Sequence, residues 1–280
     1  MIIWIASYPK SGNTWVRSFL TAYYFCENGI FDINKLNLIE DYPNKQFFKE
    51  KVKQGEIHKH WETSQKDIRD QKKVKFLKTH NSLITAFGND FTKPEYSLGV
   101  IYVIRDPRNV ITSVKNHNDL DSYDEALKFM QDENKVLEDY PHLKNYAKTN
   151  IVNSWRINYR SWLSNKSFRR VTIKYEDMVK NPKQTFEKLV VFVNTLMRFD
   201  NKIDQQKLNN AIDTTNFKSL QNIENAGKFG ENVYSLKDNR KIKFFYQGPE
   251  NDWKKNLDEN MIKKMNEYYQ NDLKFFQYEN

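Results

Sequence analysis

A polar motif near the N-terminus carries the residues best suited to bind a phosphate or sulfate group. The motif, YPKSGNTW at residues 8–15, follows the apolar run Met1 to Ala6. Lys10, Ser11 and Thr14 supply side-chain donors, and the backbone N–H groups of the turn and of the following helix would converge on the same anion. This combination predicts a loop that binds a phosphate or sulfate ester.

The lysine of this motif is not placed as it is in the Walker A loop of ATP- and GTP-binding enzymes. In the Walker pattern GxxxxGK[ST], the lysine follows the second glycine and the next hydroxyl residue holds magnesium. Here Lys10 comes two residues before Gly12, the one glycine of the motif. A nucleotide-dependent kinase with an irregular phosphate loop is therefore only the alternative, and it would require magnesium.

A histidine follows the second predicted strand, in the segment Lys78-Thr79-His80. A histidine near its unperturbed pKa of about 6.5 can take a proton from a hydroxyl group at neutral pH. A single histidine after a strand is more often an ordinary hydrogen-bonded residue, so His80 alone is a weak candidate for a general base. The other histidines lack such a context and are predicted to lie at the surface or at the rim of a pocket: His58, His60, His117 and His142.

Arg105 and Ser113 form a second candidate phosphate site. Arg105 follows the third predicted strand, and a helix that begins at Pro107 would return Ser113 toward the same point. An arginine guanidinium can donate two parallel hydrogen bonds to a phosphate. The alternative is that Arg105 and Asp106 only cap the helix.

Short strands alternate with helices along the chain, which predicts an α/β fold with a central parallel sheet and helices on both faces. The predicted strands are Ile2 to Ser7, Val74 to Lys78, Val100 to Ile104 and Val171 to Lys174, and the predicted helices include Thr14 to Tyr24, Pro107 to Asn116, Ile151 to Leu163 and Pro182 to Asn194. Ligands of such sheets bind beyond the carboxyl ends of the strands. The phosphate loop, His80 and Arg105 all follow such ends, so we expect them to meet at one site.

The N-terminal motif resembles the 5′-phosphosulfate loop of the sulfotransferases that use 3′-phosphoadenosine 5′-phosphosulfate (PAPS), whose usual form is YPKSGTTW. Only Asn13 differs from that form. The family also has a Lys-Thr-His at the corresponding strand end, and an arginine and a serine at the separation of Arg105 and Ser113. Similar segments follow at Tyr175-Glu176-Asp177, at Thr215-Asn216-Phe217-Lys218, and at Gly248 with Asp252-Trp253-Lys254. The resemblance therefore extends over most of the chain.

The resemblance implies a sulfotransferase that moves a sulfuryl group from PAPS to a hydroxyl, or to an amine, of a small-molecule acceptor and releases adenosine 3′,5′-bisphosphate (PAP). It implies in-line attack with His80 as the general base, and with Lys10 and Lys78 close to the transferring group. It implies no metal. Two phosphate-type motifs on neighbouring strands also suit a bisphosphorylated nucleotide, whereas a nucleoside triphosphate would not need the second.

The resemblance also implies which residues bind the nucleotide. They are Lys10, Ser11, Gly12, Asn13, Thr14, Trp15, Arg105, Ser113, Tyr175, Thr215, Phe217 and Gly248. The family's counterpart of Tyr175 contacts adenine, and Trp15 and Phe217 would then enclose the adenine ring. Outside this context, each of these aromatic side chains would more often belong to the hydrophobic core.

One segment departs from the family pattern. Where the family has Arg-Lys before the glycine at 248, this chain has Tyr246-Gln247, and Asn251 replaces a second glycine. Two cationic contacts to the 3′-phosphate are therefore missing from their expected places. Lys243 and Arg240 lie a few residues upstream and are the candidates to replace them.

Composition favours a soluble, cytoplasmic enzyme formed by one domain over residues 1–280. No Gly/Ser/Pro-rich linker divides the chain, and no apolar run approaches the ~20 residues of a membrane span. No basic segment with a cleavage site precedes the first strand. Cys26 is the single cysteine, so no internal disulfide is expected.

The net charge of +9 raises the possibility of a basic nucleic-acid-binding protein. Charges of both signs alternate along the chain, however, and no basic-aromatic repeat is present, so no nucleic-acid partner is expected. The charge is instead assigned to a lysine-rich surface and to a site for a polyanionic nucleotide. The walls of the acceptor pocket are expected from residues 28–72, 116–148 and 221–240.

Overall fold

The computed structural model describes residues 1–139, 145–200, 202–231, 233–235 and 237–278. The strands are β1 (Ile2–Ser7), β2 (Glu40–Asp41), β3 (Lys75–Thr79), β4 (Thr85–Ala86), β5 (Asn89–Asp90), β6 (Ser97–Ile104), β7 (Val136–Asp139), β8 (Asn145–Ile151), β9 (Arg170–Lys174), β10 (Val233–Tyr234) and β11 (Lys241–Ile242). The helices are α1 (Asn13–Phe25), α2 (Trp61–Asp70), α3 (Pro107–His117), α4 (Tyr123–Gln131), α5 (Trp155–Ser164), α6 (Tyr175–Lys180), α7 (Pro182–Met197), α8 (Gln205–Thr214), α9 (Phe217–Asn225), α10 (Trp253–Asn256) and α11 (Glu259–Phe275). The predicted rim residue His142 lies outside the described residues.

The central sheet has five strands in the order β2-β3-β1-β6-β9. All its neighbouring strands are parallel. The remaining described strands form three separate two-stranded antiparallel sheets. The predicted α/β class with a central parallel sheet is therefore confirmed.

Side chains of β1 alternate between two hydrophobic clusters, as the pleat of a strand requires. Trp4 and Ala6 belong to one cluster, which also contains side chains of α2, α3, α4, α5 and α11. Ile3 and Ile5 belong to the other, with side chains of α1, α7, α8 and α9. Because helices cover both faces, the central strands β1 and β6 are apolar along most of their length, which is typical of parallel sheets. No helix among the described residues is long and apolar enough to cross a membrane.

The predicted helix from Ile151 to Leu163 begins later than expected. Ile151 ends β8, and the helix starts at Trp155. Ser154 caps this helix, because its hydroxyl oxygen accepts a hydrogen bond from the backbone N–H of Ile157 (3.2 Å). Ser154 is a recognisable signal for the start of a helix. The apolar pattern alone placed that start a few residues too early, at Ile151.

Candidate active site

The carboxyl ends of the parallel strands meet at one edge of the sheet. In the sheet register, Ala6 of β1 lies beside Thr79 of β3, and Ser7 lies beside Val103 of β6. The loop at residues 8–15 therefore begins next to the segments that follow β3 and β6. This is the convergence that the sequence predicts for ligand sites of parallel sheets.

A cavity of about 670 Å³ opens at this edge. The predicted site residues that line it are Lys10, Gly12, Asn13, Thr14, Trp15, Lys78, His80, Arg105, Ser113, Tyr175, Phe217 and Gly248. Ser11 and Thr215 are fully buried and do not line it. The hydroxyl of Thr215 donates to the carbonyl oxygen of Ala211 (2.6 Å), one helical turn earlier.

The phosphate loop has a backbone that only a glycine can complete. Gly12 has φ +99°, in the left-handed region, and its carbonyl oxygen accepts hydrogen bonds from the N–H groups of Trp15 (3.1 Å) and Val16 (3.3 Å) at the start of α1. A Cβ atom at this position would lie 2.6 Å from Cδ2 of Tyr175. The glycine therefore allows both the turn and the close approach of an aromatic ring that lines the cavity.

Asn13, the residue that departs from the family form of the loop, joins the loop to β1. Its side-chain Nδ2 donates to the carbonyl oxygen of Ile5 (3.0 Å) and to Oγ of Ser7 (3.1 Å). Both acceptors lie on the strand that precedes the loop. Asn13 thus tethers the loop to β1, and α1 begins at this residue.

His80 is oriented by the end of β1. Its Nδ1 lies 2.9 Å from the carbonyl oxygen of Ser7 and 3.3 Å from Oγ of the same residue. Because a carbonyl oxygen only accepts hydrogen bonds, Nδ1 carries the proton and Nε2 is left as an acceptor. Burial, followed by the nearby Lys78 ammonium, lowers the pKa of His80, so its ring is neutral at physiological pH.

Lys78 lies on the cavity wall in an ion pair with Asp41. The two charged groups are 3.1 Å apart, and the Lys78 side chain is 13 % exposed. Burial favours the neutral form of Asp41, but Lys78 and the guanidinium of Arg17 hold its pKa below its usual range. Asp41 belongs to β2, a two-residue strand that pairs with β3, and sequence patterns did not predict it because it is short and acidic.

Lys10 contacts His117, a residue that was predicted from the sequence to lie at the surface or at the rim of a pocket. Its Nζ lies 3.2 Å from Nδ1 of His117 and 4.0 Å from the ring centroid of Phe244. Burial, then repulsion by Lys78 and Arg105, lowers the pKa of Lys10 to about 7. A signal for His117 was present, because it follows Ser113 by four residues and so lies one turn along the same helix face.

The other two described histidines lie away from the cavity. His58 is buried, with its ring 5.0 Å from that of Phe87 and 6.4 Å from that of Trp61. The predicted surface or rim position is therefore wrong for His58, which belongs to an aromatic cluster. His60 is partly buried beside Phe48.

Arg105 stands at the end of β6 with its guanidinium facing the cavity. It lies 3.9 Å from the ring centroid of Tyr175, and Nη2 donates to the carbonyl oxygen of Gly248 (3.0 Å). Asp106 does cap α3, but its ion-pair partner is Arg108 (2.8 Å). The capping alternative therefore accounts for Asp106 and leaves Arg105 at the cavity.

Aromatic side chains form the neighbouring wall. The rings of Trp15 and Tyr175 meet edge to face, with centroids 5.7 Å apart. Phe217 lines the cavity from the first residue of α9, and its ring contacts that of Phe245 at 6.2 Å. Trp15 and Phe217 thus both face the same cavity.

The segment that departs from the family pattern also reaches this wall. Tyr246 and Gln247 line the cavity, whereas Lys243 and Arg240 do not. Arg240 instead pairs with Asp119 (3.0 Å). The two upstream cations are therefore not placed where the missing Arg-Lys pair would have been.

Asn251, the second departure from the family pattern in this segment, hydrogen-bonds to the first turn of α3. Its Nδ2 donates to the carbonyl oxygen of Asn109 (2.7 Å), and the side chain of Asn109 accepts from the backbone N–H of Trp253 (3.0 Å). These bonds fasten the C-terminal segment to the start of α3.

A smaller pocket of about 220 Å³ adjoins the main cavity on the side of His80. The residues that line both are Asp41, Lys78, His80, Leu137, Glu138 and Lys148. The expected wall segments 116–148 and 221–240 contribute to the main cavity, and residues 28–72 contribute only Asp41. Within the described part of the chain, no three His, Cys, Asp or Glu side chains are grouped so that they could hold a metal ion.

Comparison with known proteins identifies relatives over almost the whole length of the chain. A family model described as a sulfotransferase domain matches residues 2–277. Sulfotransferase 1A1 of the dog is 25% identical over 258 residues, which cover 89% of this chain and 76% of the dog protein. Sulfotransferase 1 family member D1 of the mouse is 25% identical over 275 residues, which cover 95% of this chain and 81% of the mouse protein.

Solved structures share the fold. The mouse sulfotransferase SULT7A1, complexed with PAP, has a TM-score of 0.56 and 14% identity over 97% of this chain and 84% of its own. Retinol dehydratase, in a complex with retinol and PAP, has a TM-score of 0.61 and 16% identity over 98% of this chain and 81% of its own. Identities this low show the fold alone, but the family model spans nearly every residue, and the chain therefore belongs to the sulfotransferase domain family.

Proposed function

We propose that this sulfotransferase transfers the sulfuryl group of PAPS to a hydroxyl, or to an amine, of a small-molecule acceptor. The observation that carries the proposal is that the phosphate loop, Arg105 and His80 open onto one cavity. That arrangement offers two places for phosphate groups and a base beside one of them. PAP in the mouse and retinol dehydratase structures supports the same choice of nucleotide.

Buried polar atoms at the cavity support a polyanionic ligand. Nε of Arg105 and Nε1 of Trp15, on two residues that line the cavity, are buried without a hydrogen-bond partner among the described residues, and so is Oγ of Ser11 in the adjoining loop. Leaving a buried donor without a partner costs about 1–3 kcal/mol. A ligand that accepts hydrogen bonds would remove part of that cost, as a phosphate or an adenine ring does.

His80 is the proposed general base. Its Nε2 accepts the proton of the acceptor hydroxyl while the acceptor oxygen forms a bond to sulfur and the bond from sulfur to the 5′-phosphate oxygen breaks. Burial, and then the charges of Lys78 and Lys10, oppose protonation of His80. A bound anion beside these lysines would offset their part of the effect and raise the pKa of His80. The base is thus strengthened when the nucleotide is in place.

Two lysines are proposed to stabilise the charge that develops in this reaction. Lys10 offsets charge on the leaving phosphate, and Lys78 offsets charge on the sulfuryl oxygens. Asp41 neutralises part of the charge of Lys78 in the described structure. Fixed cations of this kind supply much of the acceleration in transfer reactions of phosphates, which serve here as an analogy.

The nucleotide is proposed to lie along the wall described above. The 5′ end meets the backbone and side chains of the loop, at Lys10, Ser11, Gly12, Asn13 and Thr14. Arg105 and Ser113 bind the 3′-phosphate, and the adenine ring lies among Trp15, Tyr175, Phe217 and Gly248. Thr215 has the weakest support in this set, because its hydroxyl is already bonded within α8.

The acceptor is proposed to enter beside His80, where Leu137, Glu138 and Lys148 line both pockets. Apolar and charged groups are mixed there, so neither a flat apolar acceptor nor an acidic one is favoured. A cytoplasmic location and independence from metal ions are further parts of the proposal. The family assignment does not favour the kinase or the nucleic-acid-binding alternative.

Thermal unfolding with added nucleotides tests the choice of nucleotide. PAP should raise the unfolding temperature in the presence of a chelator, and AMP should raise it less because it lacks the 3′-phosphate. A larger increase with ATP and magnesium than with PAP would overturn the proposal in favour of a kinase.

An acceptor library with labelled PAPS tests the transfer itself. Lys10→Ala should abolish transfer to any acceptor found, whereas Lys243→Ala, on an exposed lysine that does not line the cavity, is the matched control. Normal turnover by the Lys10→Ala protein would remove Lys10 from the mechanism.

A further inference from the structure

His117 makes a direct contact with the lysine of the phosphate loop. It is the last residue of α3, one helical turn after Ser113, and it lines the cavity. Its Nδ1 lies 3.2 Å from Nζ of Lys10, and its ring packs edge to face on Phe244 with centroids 5.9 Å apart. The ring is therefore held in place on one side and faces the ammonium on the other.

The direction of this hydrogen bond follows from the chemistry of the two groups. A lysine ammonium donates hydrogen bonds and cannot accept them, so Nδ1 of His117 is the acceptor. Burial, then the charge of Lys10, holds the pKa of His117 well below its usual range, and the imidazole is neutral. The neutral ring leaves Nδ1 free to accept.

A neutral hydrogen-bond acceptor does not cancel the charge of an ammonium group, whereas a carboxylate does. The ammonium of Lys78 is paired with Asp41, which cancels much of its charge toward an incoming anion. The ammonium of Lys10 has a neutral imidazole and the face of Phe244 as its near neighbours. Lys10 is therefore oriented by a neutral group, so the charge of its protonated form is not offset by a hydrogen-bonded carboxylate.

We propose that His117 is a positioning residue for Lys10, which aims the Lys10 ammonium at the phosphosulfate group through a neutral hydrogen-bond acceptor instead of a carboxylate. This inference rests on the proposed function, since it assumes that Lys10 acts on the 5′-phosphosulfate. His117 itself touches neither reacting atom in this scheme. Its contribution is to orient the side chain of Lys10 and to favour the protonated form of that side chain.

A matched pair of substitutions separates this role from simple packing. In His117→Asn, Oδ1 keeps an acceptor at the position of Nδ1, and in His117→Phe the ring packing on Phe244 remains while the acceptor is lost. We expect His117→Phe to lower kcat by about tenfold to a hundredfold, the range expected for a misplaced catalytic group. His117→Asn should stay within a few fold of the parent in kcat and in the Kd for PAP, whereas His117→Phe should also raise the Kd for PAP near and above about pH 7, where its Lys10 loses the proton that favours anion binding.

The protonation of Lys10 gives a second measurement that needs no acceptor. The charged groups that face Lys10 are Lys78, Arg105, Glu224 and Glu231, and His80 and Lys78 in turn face His117. All of these stay in place in both variants. NMR titration of the labelled Lys10 side chain should therefore show a lower pKa in His117→Phe, and an unchanged pKa in His117→Asn, in the free enzyme.

Three results would overturn the inference. They are a His117→Phe protein with parental kcat, an equal loss of kcat in both variants, and a Lys10 pKa that His117→Phe leaves unchanged. If His117→Phe does not fold, His117→Leu takes its place as the variant without an acceptor. Failure of the proposed function gives a different result. In that case the parent enzyme would transfer no sulfuryl group from PAPS, or the Lys10→Ala variant would transfer it as fast as the parent does.

Discussion

Gly248 lies directly against the ring of Phe217. A Cβ atom at residue 248 would come within 2.2 Å of two ring carbons of Phe217, and the residue has φ +55°. The carbonyl oxygen of Gly248 also accepts the hydrogen bond from Arg105 (3.0 Å). One small residue thus joins the proposed adenine wall to the proposed 3′-phosphate site.

Replacing Gly248 with alanine should weaken nucleotide binding. The added methyl group must displace Phe217, so we expect a loss of PAP affinity of about 1–3 kcal/mol, the usual cost of overpacking. Isothermal titration with PAP measures it. Gly88→Ala is the control, because Gly88 also has a positive φ (+78°) but no atom within 4 Å of the added Cβ. Equal PAP affinity in the two variants would contradict a role for this contact.

The tautomer of His80 makes a prediction about catalysis. Because Nδ1 is held by the Ser7 carbonyl, Nε2 is the atom that acts as base, and removing it should slow chemistry without removing a nucleotide contact. We expect His80→Ala to lower kcat by about 10²- to 10⁴-fold while the Kd for PAP stays within a few fold. His60→Ala, on a histidine that does not line the cavity, should behave like the parent. Turnover of His80→Ala within a few fold of the parent would point to another base.

Proton uptake on nucleotide binding follows from the pKa of Lys10. That pKa is about 7 in the free protein, because burial and neighbouring cations oppose the charged form. A bound anion favours the charged form and therefore raises the pKa of Lys10. As pH rises above about 7, the free enzyme loses this proton, so PAP affinity should fall and binding should take up close to one proton at about pH 8.

Calorimetry in two buffers with different ionisation enthalpies measures this uptake. The phosphate groups of PAP have their second pKa near 6 and are already ionised at about pH 8, so they add little to the signal. The Lys10→Met variant should show no such uptake. Uptake that persists in this variant would assign the proton to another group.

The sheet and the phosphate loop were predictable because their signals are local. A β-branched run before the loop and a proline at the start of α3 each act within a few residues. The parallel order of the strands then places the phosphate loop, His80 and Arg105 together without further information. The prediction of one domain over residues 1–280 stays a prediction.

The contacts that tune the site were not predictable, because they join residues far apart in the chain. Asp41 reaches Lys78 from a strand of two residues, and His117 reaches Lys10 from the far end of another helix. Thr215 matched a family segment by letter, yet its hydroxyl is satisfied inside α8. Residue types and spacing locate a site, whereas tertiary packing decides which donors remain available in it.

Tyr246 offers a test of the missing cations. It is 43% exposed on the cavity wall, at a position where the family has arginine, and neither Lys243 nor Arg240 lines that cavity. Tyr246→Arg should therefore tighten PAP binding by about 1 to 3 kcal/mol, as a charge-assisted hydrogen bond does. AMP, which lacks the 3′-phosphate, should gain much less in the same titration.

Tyr246→Ala separates the loss of tyrosine from the gain of charge, and Arg240→Ala should leave PAP affinity unchanged. An equal gain for AMP and PAP would mean that the new arginine attracts anions in general and does not replace the family's 3′-phosphate contact.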